Sequence, residues 1–436
     1  MTCMPDHPIE TSLSPGHEIE VAVEKPAAGG RMIARHDGRV ILVLGAIPGE
    51  RVVASVERVE KRLAFAMVTR VTSRSADRRE GAIEPLCGGC LFAHIAYPRQ
   101  VALKGEIIGD AFARIGRVPL GRAVGVLASQ EHGYRMRARF HVSNGRAGFF
   151  REGTHELCDA GVTGQLTPAA LHAVEACRAA LADAACDPSS IELSENIAGD
   201  QRSMHVELRN GSPAVSDALR AAAGAAGLTG CTARGGDGHL VWAGDPVVSD
   251  PLAVLASGRA TSGQLGRHPA SFFQANRYLL PDLVRCVIDR VPAEGDVLDL
   301  YAGVGLFSVA LAATGRERII AVEGDPMSGA DLRRNAAPFA NTVRVVLGRV
   351  EDALSERLPG GTIVVDPPRT GISREAMAAI THAEAGRIIY ISCDPPTMAR
   401  DARRLLDAGY RLGSLEGFDL FPNTPHVEVV GTFEKG

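Results

Sequence analysis

No stretch of this sequence approaches the roughly 18 consecutive apolar residues that span a bilayer, which excludes a transmembrane helix. No secretion signal is expected either, because MTCMPDHPIE carries acids and proline where an apolar segment would be needed. The nine cysteines are an odd number scattered over a long chain, so no secreted disulfide framework is expected. Nor is there a positive net charge; at −4 the chain gives no global sign of nucleic-acid binding. These absences leave a globular chain, expected in the cytoplasm and away from membranes.

What is present is length. At 436 residues the chain exceeds one ordinary core, so two or three domains are expected. Residues 16–72 read as short alternating strands separated by turns such as AAGGR and HDGR, which suggests a small all-β barrel. Residues 73–265 read as a mixed α+β central domain. Within it, YRMRARFHVS and RAGFFRE flank an Asn-Gly pair, a hairpin signal. TPAALHAVEACRAALADA reads as a helix opened by a threonine cap and a first-turn proline. From 266 to 436 strands, turns and helices alternate, as in a doubly wound, Rossmann-like α/β domain whose ligands sit at the carboxyl ends of the strands.

Charge is informative locally. Arg51 to Glu80 holds eight Lys/Arg against four Asp/Glu, and His132 to Arg151 holds five arginines and no acid. Such runs are most often solvated faces. Here Tyr134, Phe140, Phe149 and Phe150 interleave with the arginines, and aromatic faces stack on unpaired bases, so RNA contact is the functional reading.

Four motifs carry chemistry. DLYAGVG, Asp299 to Gly305, follows an apolar strand and precedes a helix, and Glu323 ends the next strand. Glycines there let a ligand approach the backbone, and an acid at that distance can bind both hydroxyls of an unphosphorylated ribose. The pair favours an adenosine-type cofactor, in the form typical of S-adenosylmethionine (SAM) methyltransferases, over a turn that merely packs. In VVDPPRTGI, Asp366 stands at a strand end before two prolines that cannot extend a sheet. The motif is either a rigid turn or a carboxylate aimed into the cleft.

Cys393 stops the apolar run RIIYIS just before a helix. A thiolate at a helix N-terminus is stabilised by the dipole and free amides, whereas the usual fate of a cysteine is burial as a small hydrophobe. Burial accounts for Cys177, Cys186 and Cys286, which lie on apparent helix faces, better than for Cys393. In FPNTPHVEVV, His426 and Glu428 share one face of a final valine-rich strand, where an acid either costs stability or serves function.

Together DLYAGVGLF, VVDPPRTGI, YISCDPPTMARD and FPNTPHVEVV resemble the successive signatures of the bacterial RNA (uracil-5-)-methyltransferase family. SFFQAN, Ser271 to Asn276, resembles another of its motifs, and PGHEIEVAVEK onward resembles the TRAM module, an OB-like barrel, of its ribosomal-RNA members. The resemblance implies SAM as cofactor, with contacts at Gln274, Tyr301, Glu323 and Asp366. It implies Cys393 as nucleophile and Glu428 as base. The implied partner is RNA, 23S ribosomal RNA first and transfer RNA as the alternative, bound by a monomer. The competing readings are an unrelated SAM-dependent methyltransferase acting on an amine or on cytosine, and an RNA-binding protein that kept this fold without activity.

The match departs from the family at two places. Many members hold an iron–sulfur cluster on three closely spaced cysteines and a fourth before the cofactor domain. Here Cys87, Cys90 and Cys158 are candidate ligands, but Gly81 and Thr163 occupy positions where cysteine is expected. A [4Fe-4S] cluster, another metal or none remain open. Ala302 and Leu306 also stand where the family often has Cys and Asn.

Overall fold

The computed structural model describes residues 13–80, 86–210, 215–236, 238–353 and 361–436. The first unit is a closed barrel of β1 (Glu18–Pro26), β2 (Met32–His36), β3 (Arg39–Leu44), β4 (Arg51–Val59) and β5 (Leu63–Ser73), in the order β1-β2-β3-β5-β4. Strand β1 alternates exposed and buried residues, which puts Ile19, Val21 and Val23 in the interior. The β2–β3 turn uses Asp37 and Gly38, both at positive φ, as the HDGR stretch predicts.

Helix α1 (Tyr97–Ala111) follows, then β6 (Val126–Leu127), β7 (Arg137–Ser143), β8 (Arg146–Phe150), β9 (Leu157–Cys158), α2 (Pro168–Asp183), β10 (Pro188–Glu195), β11 (Arg202–Leu208), α3 (Val215–Ala225), β12 (Gly230–Arg234) and β13 (Leu240–Gly244). Seven of these strands form a sheet ordered β13-β12-β11-β10-β7-β8-β9, with α2 and α3 packed in its core cluster. The Asn144-Gly145 turn joins β7 to β8, both residues at positive φ. Thr167 caps α2 by accepting from Ala170 N, ahead of Pro168.

One expectation fails here. Tyr134, Phe140 and Phe149 are buried at 0%, 1% and 8% exposure, Phe140 on the inward face of β7, Phe149 on β8 and Tyr134 in the segment before β7. Tyr134 and Phe140 offer no open stacking face, whereas Phe149 lines a cleft. Cys177 and Cys286 sit buried on helices as expected, whereas Cys186 is buried in the turn past α2.

The short pair β14 (Val248–Pro251) and β15 (Gln264–Arg267), with α4 (Leu252–Leu255) between, leads into the last unit. That unit comprises α5 (Leu280–Arg290), β16 (Val297–Leu300), α6 (Leu306–Ala313), β17 (Ile319–Glu323), α7 (Pro326–Ala336), β18 (Val343–Leu347), α8 (Val350–Ala353), β19 (Thr362–Val365), α9 (Arg374–His382), β20 (Arg387–Ser392), α10 (Pro395–Asp407), β21 (Tyr410–Phe418) and β22 (Glu428–Lys435). The sheet order is β18-β17-β16-β19-β20-β22-β21-β6. Strands β16 to β20 run parallel and β22 is antiparallel. The central strands VLDL and TIVV are buried throughout, as continuous runs covered on both faces should be.

Strand order reverses between β16 and β19, which opens a crevice at their carboxyl ends. The edge strand β6 comes from far upstream, and Ile108, Ala111 and Phe112 of the α1 region join the core of this sheet. Among the described residues no helix is long and apolar enough to cross a membrane.

Candidate active site

The cleft is assembled from strand ends. After β16 the backbone turns through Tyr301 (φ 58°), Gly303 (φ 56°) and Gly305 (φ 93°) into α6. Glu323, at the end of β17, accepts from Gly303 N at 2.7 Å and Asp325 N at 2.6 Å, so its carboxylate is oriented by the turns around it. A Cβ on Gly303 would meet open space, whereas one on Gly305 would strike Leu332 and Val309 at 2.8 and 2.9 Å. Gly305 is therefore required for packing, and Gly303 for its left-handed conformation at the rim. An oriented acid, a glycine turn and Tyr301 together fit an adenosine-type cofactor.

Asp366 leaves β19 into the same cleft. Gln274 Nε2 donates to its Oδ2 at 3.4 Å, from a segment that is held firmly. Ser271 Oγ donates to Asp331 at 2.7 Å, Asn276 Nδ2 donates to Leu420 O at 3.1 Å, and the Arg267 guanidinium lies 4.0 Å over the Phe273 ring. Burial, then the nearby Asp299 charge, push Asp366 up to about 7 despite the Gln274 contact. Asp299 is wholly buried and also raised to about 7 by desolvation. The turn beyond Asp366 closes on α10, where Ile372 N donates to Asp401 at 3.0 Å. At Gly371 (φ 83°) a Cβ would collide with Asp401 Oδ2 and Thr397 Cγ2, so only glycine fits.

Cys393, one residue past the end of β20, and Glu428, the first residue of the adjacent β22, line this one cleft of about 770 Å³ with Gln274, Tyr301, Glu323 and Asp366. All six candidate residues outside the cysteine cluster thus converge. Two details differ from expectation. Strand β22 begins at Glu428, so His426 lies in the preceding loop. The helix N-terminus also does not supply amides to the thiol. Pro395 and Pro396 have no N–H, and Thr397 N is already donated to Asp394 at 2.8 Å.

Burial, followed by the Glu428 charge, therefore pushes the Cys393 thiol up to about 12, with Arg369 opposing. Glu428 is itself raised well above the usual carboxylate range by burial and then by Asp366, again with Arg369 opposing. His426 falls to about 4, first through burial and next through Arg369, so its neutral Nδ1 can accept from Arg369 Nη2 at 3.3 Å. The sequence carries no signal for Arg369 as the cation facing both groups, beyond its place after the prolines.

The cysteine group is built differently from a cluster site. Cys87 and Cys158 are joined as a disulfide, and Cys90 is buried beside them with its thiol 3.5 Å from Cys87 O. Thr163 donates its hydroxyl to Ala160 O, while the Gln165 amide donates to Gly89 O at 2.5 Å. Gly81 lies outside the described residues. Three sulfurs, two of them bonded together, do not fit a centre that needs four thiolates. Among the described residues no group of His, Cys, Asp or Glu is placed to hold a metal ion. Gly88 and Gly89, between Cys87 and Cys90, nonetheless line the cleft.

Comparison with known proteins agrees with this fold. A model of the tRNA (Uracil-5-)-methyltransferase family matches residues 332–435, and a TRAM-domain model matches residues 13–69. A 23S rRNA (uracil(1939)-C(5))-methyltransferase of Halomonas elongata is 34% identical, over 96% of this chain and 90% of its own. An uncharacterized RNA methyltransferase of Streptomyces coelicolor is 31% identical, over 96% and 93%. The crystal structure of Pyrococcus abyssi tRNA (uracil-54, C5)-methyltransferase with S-adenosyl-L-homocysteine shares the fold. It aligns with a TM-score of 0.73 at 23% identity, covering 95% of this chain and 99% of that one.

Proposed function

Because the chain belongs to the RNA (uracil-5-)-methyltransferase family, we propose that it methylates C5 of a uridine in 23S ribosomal RNA with SAM as methyl donor. SAM supplies a methyl sulfonium, and the residues offered to hold it are Gln274, Tyr301, Glu323 and Asp366. Uracil C5 is a poor nucleophile, so the ring must be activated. Cys393 Sγ forms a bond to C6, which places carbanion character at C5. After C5 has taken the methyl group, Glu428 removes the C5 proton, the C6–S bond breaks and the thiolate leaves. The target base must be flipped or splayed from its stack to reach the cleft.

The observation that carries this reading is the meeting of Cys393 and Glu428 in one cleft with the glycine turn and Glu323. Cys393 is a thiol in the ligand-free protein, so its proton must leave to solvent before Sγ attacks C6, and Arg369 is the cation that favours the resulting thiolate. Mapping 5-methyluridine by mass spectrometry in ribosomal and transfer RNA, from cells with and without the protein, tests it. One 23S rRNA site should lose its methyl group. Loss confined to transfer RNA would move the substrate, and no loss at all would refute the activity.

A further inference from the structure

We propose that helix α1 fixes the segment carrying His426 and Glu428, with Gln100 and Lys104 as positioning residues for removal of the C5 proton. The proposal rests on Glu428 being the base. Between β21 and β22 the chain runs from Asp419 to Val427 without regular structure, and little of its anchoring comes from its own sheet. Leu420 O accepts from Asn276 Nδ2 at 3.1 Å, and Phe421 O accepts from Lys104 Nζ at 3.0 Å. Pro422 O accepts from the Tyr134 hydroxyl at 3.2 Å, and Asn423 O accepts from Phe92 N at 2.9 Å. Successive carbonyls are thus each held by a donor from elsewhere in the molecule.

Helix α1 supplies the strongest of these ties. Gln100 and Asn423 exchange two hydrogen bonds of 2.9 Å, from Gln100 Nε2 to Asn423 Oδ1 and from Asn423 N to Gln100 Oε1. Asn423 is thereby kept at a positive φ of 64°. Lys104 also pairs with Asp419, both side chains at 0% exposure. Burying such a pair costs desolvation that an apolar pair would avoid, so attachment of α1 alone does not explain it. What the ion pair adds is direction, since it fixes where Asp419 and Phe421 O lie. The barrel abuts the same segment, because a Cβ on Gly30 would come within 3.0 Å of Pro425 Cγ. Three residues later the chain reaches Glu428.

A displacement of about 1 Å at a reacting group can cost roughly a hundredfold in rate. Release of the segment should therefore slow proton removal while leaving thiol attack intact. The test is single-turnover methylation by the full-length protein with Gln100→Ala, Lys104→Met and the milder Tyr134→Phe, alongside Glu428→Gln. In the Gln100 and Lys104 variants, covalent protein–RNA adduct should form at close to the wild-type rate. Free methylated RNA should appear about ten- to a hundredfold more slowly, with methylated adduct accumulating on denaturing gels. Tyr134→Phe, which loses one donor and no volume, should shift the same partition less, with SAM affinity unchanged. If these proteins bind SAM normally yet adduct formation and release fall together, or release is unaffected, α1 is only structural and the proposal fails. If Glu428→Gln releases methylated RNA at the wild-type rate, the base lies elsewhere and the proposal falls with that reading.

Discussion

The side-chain amide of Gln274 meets Asp366 Oδ2 at 3.4 Å, joining the segment before α5 to the end of β19. That hydrogen bond is too weak to keep Asp366 ionised, and burial with the Asp299 charge raises it from 3.8 to about 7. An acid with a raised folded value contributes stability that is complete below its unfolded value and lost as pH rises through its folded value. The melting temperature of the ligand-free protein should therefore fall as pH rises from about 4 to about 7. Asp366→Asn should flatten part of that slope, while Asp299, raised to the same range, and Glu428, also raised, should keep their parts. An unchanged slope in the variant would show that Asp366 is ionised in the folded protein.

Cys393 gives a second pH signature. With its thiol pushed up to about 12, alkylation of Cys393 by iodoacetamide should accelerate by roughly tenfold per unit between about pH 7 and pH 9. Arg369 is the cation that favours the thiolate, so Arg369→Met should slow alkylation at any given pH. Peptide mass spectrometry resolves this cysteine from the buried ones. A rate already flat by about pH 7 would mean that the thiolate is preformed.

The cysteine group near the cleft should carry no cubane cluster. Protein purified without oxygen should be colourless, and in protein purified in air thiol titration should find Cys87 and Cys158 protected until reductant is added. Brown protein with about four irons per chain would show that the thiols open to take a cluster.

Much of the site is legible in the sequence because its chemistry sits at strand ends, where short motifs name their own position. DLYAGVG, VVDPPRTGI and Cys393 each fall where an apolar run stops, and the parallel strands are apolar enough to be recognised directly. The final strand starts two residues later than its alternation suggests, since His426 follows the period of Glu428 without pairing. What stays hidden is set by distance in sequence. Gln100 and Asn423 lie 323 residues apart, and no local pattern announces that an upstream helix holds this loop. The Cys393 environment departs from expectation for a local reason, because the two prolines that mark the helix start also remove its first amides.

The arginine-rich hairpin shows how burial redistributes a charge run. Arg137 is turned inward, donating to Glu192 at 2.9 Å and to Ser271 O at 3.2 Å, so Arg137→Glu should damage folding before it affects RNA. Arg135 is buried as well, 5.2 Å over the Phe149 ring and 2.6 Å from Gln165 Oε1. Arg139, 54% exposed, and Arg146, exposed at the β7–β8 turn, are the cations open to phosphate. Reversing both to Glu should weaken RNA binding and reduce the slope of log K against log salt by about 0.7 for each phosphate of single-stranded RNA that is no longer neutralised. SAM affinity, measured by calorimetry, should not change, since neither side chain lines the cleft. An unaltered salt slope would assign phosphate binding to the barrel, whose exposed Arg51 and Arg58 would then be the next pair to reverse.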